Sequence, residues 1–164
     1  MEIRIATMQE LENWWDKEIK ENAGDNSLVV WKNNFIEENI NGKRKTFFAF
    51  DSGKYVGQGT LLFESKDKVM TCDGKAEIIK LEIEEEYRGK GVATEIYKAL
   101  KFYAKSVGIK TLTIEVEPSE IRNMQIYFHW GFTKFLQCIT ENYPPKNDSE
   151  EGEIVTVLCY SQNI

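Results

Sequence analysis

Apolar and polar positions change period several times along the chain, and each change predicts an element. Residues 2–6, EIRIA, predict a short strand. Thr7 followed by Glu10 is a capping-box pattern, after which Leu11, Trp14, Trp15 and Ile19 fall on one helical stripe. A polar break over Asn22 to Ser27 separates this helix from a second, carrying Val30, Trp31, Phe35 and Ile36 and ending near Asn41-Gly42. Thr46 to Phe50 and Tyr55 to Phe63 are β-rich runs joined by the turn Asp51-Ser52-Gly53-Lys54, a predicted hairpin. Gly57 and Gly59 inside the returning strand predict a bulge or a close backbone approach. Residues 64 to 76 read as a polar connection.

The most informative stretch follows. Ile79, Leu81 and Ile83 alternate with Lys80, Glu82 and Glu84, which is strand periodicity. A short loop with two glycines leads into a helix marked by Val92, Ile96, Ala99, Tyr103 and Val107 and stopped at Gly108. Thr111 to Val116 alternates again, so a helical crossover joins two strands that must run parallel. Pro118 and Glu120 start another helix, which runs to Trp130 and ends at Gly131. Phe132 to Ile139 and Ile154 to Tyr160 are final strands, separated by the acidic segment PPKNDSEEGE. The order β-α-α-β-β-β-α-β-α-β-β predicts an α/β (α+β) architecture. It is a mixed sheet of about seven strands with helices on both faces, in one domain over residues 1–164.

Composition narrows the function more than the fold. Twenty-seven acidic against twenty-one basic residues leave a net charge of −6, which argues against a nucleic-acid surface. Cys72, Cys138 and Cys159 are too few and too scattered for a disulfide framework or a zinc site, so reduced thiols and a cytoplasmic setting are expected. No apolar run is long enough to span a membrane, and the first residues lack the pattern of a signal peptide.

The candidate chemistry lies in the loop Tyr87-Arg88-Gly89-Lys90-Gly91-Val92-Ala93-Thr94. Glycines between a strand and a helix let backbone approach a ligand. The first helical amides have no internal partners and carry the positive end of the dipole, so such a turn holds phosphate oxygens. The same loop also reads as a tight connection with two solvated cations. None of the four Gly-Lys pairs is followed by Ser or Thr, so none is a P-loop. A dinucleotide fingerprint would need a third glycine where Thr94 stands.

Arg-x-x-Gly-x-Ala, from Arg88 to Ala93, resembles motif A of the GNAT superfamily of acetyl-CoA-dependent N-acetyltransferases. Downstream, Tyr127-Phe128-His129-Trp130-Gly131-Phe132 is similar to that family's Tyr-x-x-x-Gly-Phe signature. Together the two blocks span residues 77 to 135, about a third of the chain, in the family's order and spacing. The resemblance implies a GNAT fold and acetyl-CoA as co-substrate. It implies that Leu81 and Ile83 offer backbone groups to the pantetheine arm, with the Leu81 amide facing the thioester carbonyl. Gly89, Lys90, Gly91, Val92, Ala93 and Thr94 would surround the pyrophosphate, with Arg88 at the entrance. Tyr127, four residues before Gly131, would be the general acid for the departing thiolate. Glu77, eleven residues before Arg88, stands where some members carry a catalytic base, and Glu82 and Glu84 are rivals from the same strand. The sequence departs from the family at Glu120, where members often carry Asn, and Asn123 is three residues late.

His129 falls on a different helical face from Tyr127, so direct transfer in a ternary complex is expected rather than an acyl-enzyme. The acceptor is expected to be a primary amine of a small molecule or peptide. The resemblance implies an acceptor site built from the first two helices and the late loops. Here those carry Trp14, Trp15, Trp31, Phe35 and the acidic 148–153 segment, walls suited to a cation, although a tryptophan stripe is more often core. The expected assembly is a monomer or homodimer, with no metal. A non-catalytic acyl-CoA-binding module is the competing function.

Overall fold

The computed structural model describes residues 1–72, 74–143 and 151–164. Strand β1 (Glu2–Ile5) leads into α1 (Met8–Glu21) through a capping box. The Thr7 hydroxyl accepts from the Glu10 amide at 3.3 Å, and the Glu10 carboxylate accepts from the Thr7 amide at 2.8 Å. Helix α2 (Ser27–Ile40) and the hairpin β2 (Arg44–Asp51) and β3 (Lys54–Leu62) follow. The polar connection holds a one-turn helix, α3 (Lys68–Thr71), that hydrophobic periodicity does not announce because four residues are too few to show a period. Then come β4 (Lys75–Ile83), a 3₁₀ turn at Glu85–Tyr87, α4 (Val92–Ser106), β5 (Thr111–Val116), α5 (Ile121–Trp130), β6 (Lys134–Tyr143) and β7 (Glu153–Asn163). Most of the acidic segment between β6 and β7, residues 144–150, lies outside the described residues.

The strands form one sheet in the order β1-β2-β3-β4-β5-β7-β6. Every neighbour is antiparallel except β4 and β5, which are parallel. Alternation along β2 shows how the two faces are filled. Phe47 and Ala49 join the cluster under α4, with Ile96, Leu100 and Ala104, while Phe48 points the other way to meet Leu11, Trp15, Leu28 and Phe35 of α1 and α2. Burying side chains such as Leu11 and Phe35 contributes ~1.5–3 kcal/mol each before entropy is counted. Trp130 of α5 and Phe132 belong to the α4-side cluster, so helices cover both faces.

Two helices bury a different stripe from the one periodicity predicts. In α2 the buried positions are Leu28 and Phe35, one heptad apart, whereas Val30 (58 % exposed) and Trp31 (38 % exposed) sit on the outer side. In α4 the stripe shifts to Val92, Ile96, Tyr97, Leu100 and Ala104, leaving Val107 exposed. Both helices are apolar on more than one side, so periodicity located each helix and misplaced part of its face.

The feature that positions the site is a divergence in the middle of the sheet. β4 pairs with β5 only from Lys75 to Ile78, opposite Thr111 to Ile114. Beyond that, β4 stays with β3 to Ile83, while β5 stays with β7 to Val116. Across the β3 ladder Gln58 pairs with Glu82 and Thr60 with Ile79, so Lys80 and Leu81 bulge out opposite Gly59. Gly59 is needed there: a Cβ would lie 2.7 Å from Ile96 Cγ2 and 3.0 Å from Leu100 Cδ1 of α4.

Candidate active site

The loop from β4 to α4 turns on Gly89 (φ 75°) and Gly91 (φ 83°), both left-handed. Gly91 is the N-cap of α4, so the next amides have neither intrahelical partners nor a side-chain cap. Added Cβ atoms at Gly89 and Gly91 would meet nothing within 4 Å. The loop therefore presents bare backbone to a cleft of about 610 Å³.

One wall of the cleft is the end of β4, with Leu81, Glu82 and Ile83. The floor is the loop and the start of α4. The opposite wall is α5, with Arg122, Asn123, Ile126, Tyr127 and Trp130, and Glu120 at its cap. Of the residues expected to hold the cofactor, Leu81, Ile83, Arg88, Gly89, Gly91, Val92, Ala93 and Thr94 all line it. Lys90 does not: its ammonium sits 5.1 Å from the centre of the Tyr87 ring. Arg88 is not free at the entrance, since its Nε donates to the Ile83 carbonyl at 3.1 Å. Glu120 and Asn123 both line the cleft and are joined, Asn123 Nδ2 donating to Glu120 Oε1 at 2.9 Å.

Tyr127 also lines the cleft, and burial, with Glu120 adding to it, pushes its phenol up to about 12. It therefore stays an O–H donor across the neutral range. α5 is held by Trp130, which stacks on Tyr97 of α4 at 4.5 Å with an interplanar angle of 1°, while the Tyr97 hydroxyl donates to the Trp130 carbonyl at 3.2 Å. Gly131, left-handed at φ 103°, then ends the helix. His129 is exposed, on another face.

The three candidate carboxylates part company. Glu77 is buried (5 % exposed) in the segment of β4 that still pairs with both neighbours, and it is absent from the cleft lining. Its neighbours Ala76 and Ile78 pack under α4, so alternation turns Glu77 to the opposite face. Glu82 lines the cleft and is held on both oxygens, by Gln58 Nε2 at 2.9 Å and by Lys80 Nζ at 3.1 Å. Glu84 lines a second cavity of about 500 Å³, with Trp14, Phe48, Phe50 and Tyr55. The expected aromatic wall also divides. Trp15 and Phe35 are core at 1 % and 3 % exposed, whereas Trp14 is half-buried and carries the Lys80 ammonium 4.9 Å from its ring centre. Near them, burial and then Glu82 raise the Glu18 carboxyl.

Arg122 and Ile126, for which the motifs predict no role, also line the cleft, as do Tyr87 and Trp130 from within the motif blocks. The helical spacing of Asn123, Ile126, Tyr127 and Trp130 places them on one face of α5, a signal the sequence carries as the pattern i, i+3, i+4, i+7.

The sequence matches the family described as Acetyltransferase (GNAT) family over residues 8–132, which covers both walls of the cleft. The chain belongs to the GNAT acetyltransferases. This GNAT protein is similar in fold to a ribosomal-protein-alanine N-acetyltransferase from Brucella melitensis (TM-score 0.72, 16% identity, 100% of both chains covered). It also resembles a probable acetyltransferase from Staphylococcus epidermidis (TM-score 0.66, 20% identity, 99% of this chain and 98% of that one). A third is the ribosomal-protein-S18-alanine N-acetyltransferase of Escherichia coli (TM-score 0.69, 15% identity, 99% and 93%). At these identities the likeness is one of fold. A comparison with curated proteins returned no match. Among the described residues, no helix of this GNAT protein is long and apolar enough to cross a membrane, and no group of three or more His, Cys, Asp and Glu could hold a metal.

Proposed function

We propose that the protein is an N-acetyltransferase that passes the acetyl group of acetyl-CoA to a primary amine by direct attack in a ternary complex. One observation carries this reading. The bare amides opening α4, the bulged strand end at Leu81 and the Tyr127 phenol all face one cleft, beside the point where β4 leaves β5. The amides receive the diphosphate, with Arg88 at its side once it releases the Ile83 carbonyl. The strand end pairs with the pantetheine arm, and the Leu81 amide faces the thioester oxygen as charge develops there.

An alkylamine with a pKa of ~10 arrives largely protonated and must lose a proton before it attacks. Glu82 takes it directly, since it lines the cleft. Glu77, buried in the paired part of the strand, would act through an intervening water. The amine nitrogen bonds to the acetyl carbon and sheds its second proton to solvent, the carbon–sulfur bond breaks, and the thiolate is met by the Tyr127 hydroxyl. The protein works in the cytoplasm in this reading, in keeping with three free cysteines. A panel of amines, assayed for release of free CoA, tests it. At least one primary amine should be acetylated, and Glu82→Gln should lower kcat by about 10²-fold, more than Glu77→Gln does. No release with any amine leaves only an acyl-CoA-binding module.

A further inference from the structure

Lys80 is unusual in three independent ways. Among the described non-glycine residues only Ser52 and Lys80 have positive φ. Ser52 sits in the hairpin turn between β2 and β3, where such a backbone is ordinary. Lys80 (φ 49°) lies inside a strand, where a left-handed backbone is strained for a residue with a side chain. Strain of this kind persists where the surroundings over-determine it, and it collects at functional sites. Secondly, the Lys80 ammonium is seated 4.9 Å and 5.1 Å from the ring centres of Trp14 and Trp15, and its side chain is 28 % exposed. Lys90, by comparison, sits 5.1 Å from a single ring centre, that of Tyr87, and Lys98 is 63 % exposed. Thirdly, Lys80 Nζ donates at 3.1 Å to the carboxylate of Glu82, a residue of the cleft wall, while Lys80 itself adjoins that wall without lining it. The other oxygen of Glu82 is fixed by the fully buried Gln58, whose own Oε1 lacks a hydrogen-bond partner among the described residues.

A primary amine, a proton acceptor in contact with it and the residue that would face the thioester, Leu81, thus follow one another along three positions of one strand. We propose that Lys80 is a self-acetylation site: its amine takes the acetyl group from the thioester held in the adjoining cleft. This rests on the transferase reading above. In the step, the Lys80 ammonium gives one proton to Glu82, its nitrogen forms a bond to the acetyl carbon, and the nitrogen's second proton leaves to solvent as the amide forms. The carbon–sulfur bond breaks with its electron pair on sulfur, and the thiolate takes a proton from Tyr127, which recovers one from solvent. An amide replaces an ammonium, so the ion pair with Glu82 and the contact with both rings are lost. Because Lys80 adjoins Leu81 in the same chain, the reaction is intramolecular.

The test is to incubate the protein with acetyl-CoA and no added amine, follow intact mass, and map the modified lysine. Acetyl-CoA binding is measured in parallel by calorimetry. The expected result is one acetyl group, on Lys80, gained at a rate independent of protein concentration. It should be absent in Lys80→Arg and slower by about 10²-fold in Glu82→Gln. If acetyl-CoA binds and amines are acetylated while Lys80 gains no more than Lys98, this inference is wrong and the transferase reading stands. Acetylation of Lys80 at the same rate in Glu82→Gln also overturns it, as adventitious chemistry. If acetyl-CoA does not bind, both readings fall together.

Discussion

Tyr127 shows how burial tunes a single residue. Loss of hydration, with Glu120 nearby, raises its phenol to about 12, so the protonated form persists below that pH and the ionised form appears only above it. A protonated phenol beside the sulfur can donate as the thiolate forms, whereas a phenolate could not. Tyr127→Phe keeps the ring and its tilted contact with Trp130, and should lower kcat by about 10²-fold with little change in the affinity for acetyl-CoA. Equal losses in both would assign Tyr127 to binding instead. In the wild type, the acceptor amine gains reactivity as it deprotonates toward pH ~10. The Tyr127 limb lies beyond that, so kcat/KM should rise steadily through this range in a pH profile. A fall beginning near neutrality would contradict the assignment. Residue positions of this kind were legible from the motif alone. The electrostatics were not, because Glu120 and Tyr127 are linked only through the way α5 enters the cleft.

Among elements, the start of α1 is the one whose local code is complete. Thr7→Ala removes the N-cap acceptor and should cost about 1 kcal/mol in urea unfolding. The Glu10 carboxyl, hydrogen-bonded first by Arg4 and then by Thr7, is lowered from 4.5 to about 2. The folded state binds that proton less readily than the unfolded one. The stabilisation is therefore present above the unfolded value and is lost as pH falls from about 4.5 toward 2. Glu10→Gln should remove that part of the acid sensitivity, and an unchanged acid limb would refute the link. The hairpin and the α4 crossover were equally legible, since each rests on neighbours in sequence. Gly59 was legible as a close approach, though not what it approaches. α4 presses on β3 at that point, so Gly59→Ala should destabilise by ~1–3 kcal/mol. An unchanged unfolding midpoint would show that α4 can yield.

At the scale of the whole molecule, the site exists because one parallel pair in an otherwise antiparallel sheet comes apart. β4 follows β3, β5 follows β7, and the opening between them meets the N-terminus of α4 and one face of α5. No single segment encodes this. The sequence of β4 looks like one regular strand, and the bulge at Lys80-Leu81 emerges only from its register with Gln58 and Thr60. For the same reason motif spacing favours Glu77, with Glu82 and Glu84 as rivals, and says nothing of their separation into the paired strand, the cleft and a second cavity. In the proposed reaction the amides opening α4 receive the diphosphate of acetyl-CoA. The most direct test of this reading is a calorimetric titration of acetyl-CoA, with NAD and ATP as comparisons, into the wild type and into Gly91→Asp. The substitution places a carboxylate at a left-handed position that faces open space, so it strains the backbone by ~1–2 kcal/mol without crowding the core. Acetyl-CoA should bind saturably and in preference to both nucleotides, with no binding to a still-folded Gly91→Asp. Equal affinity in the two proteins, or preference for NAD or ATP, would contradict that reading.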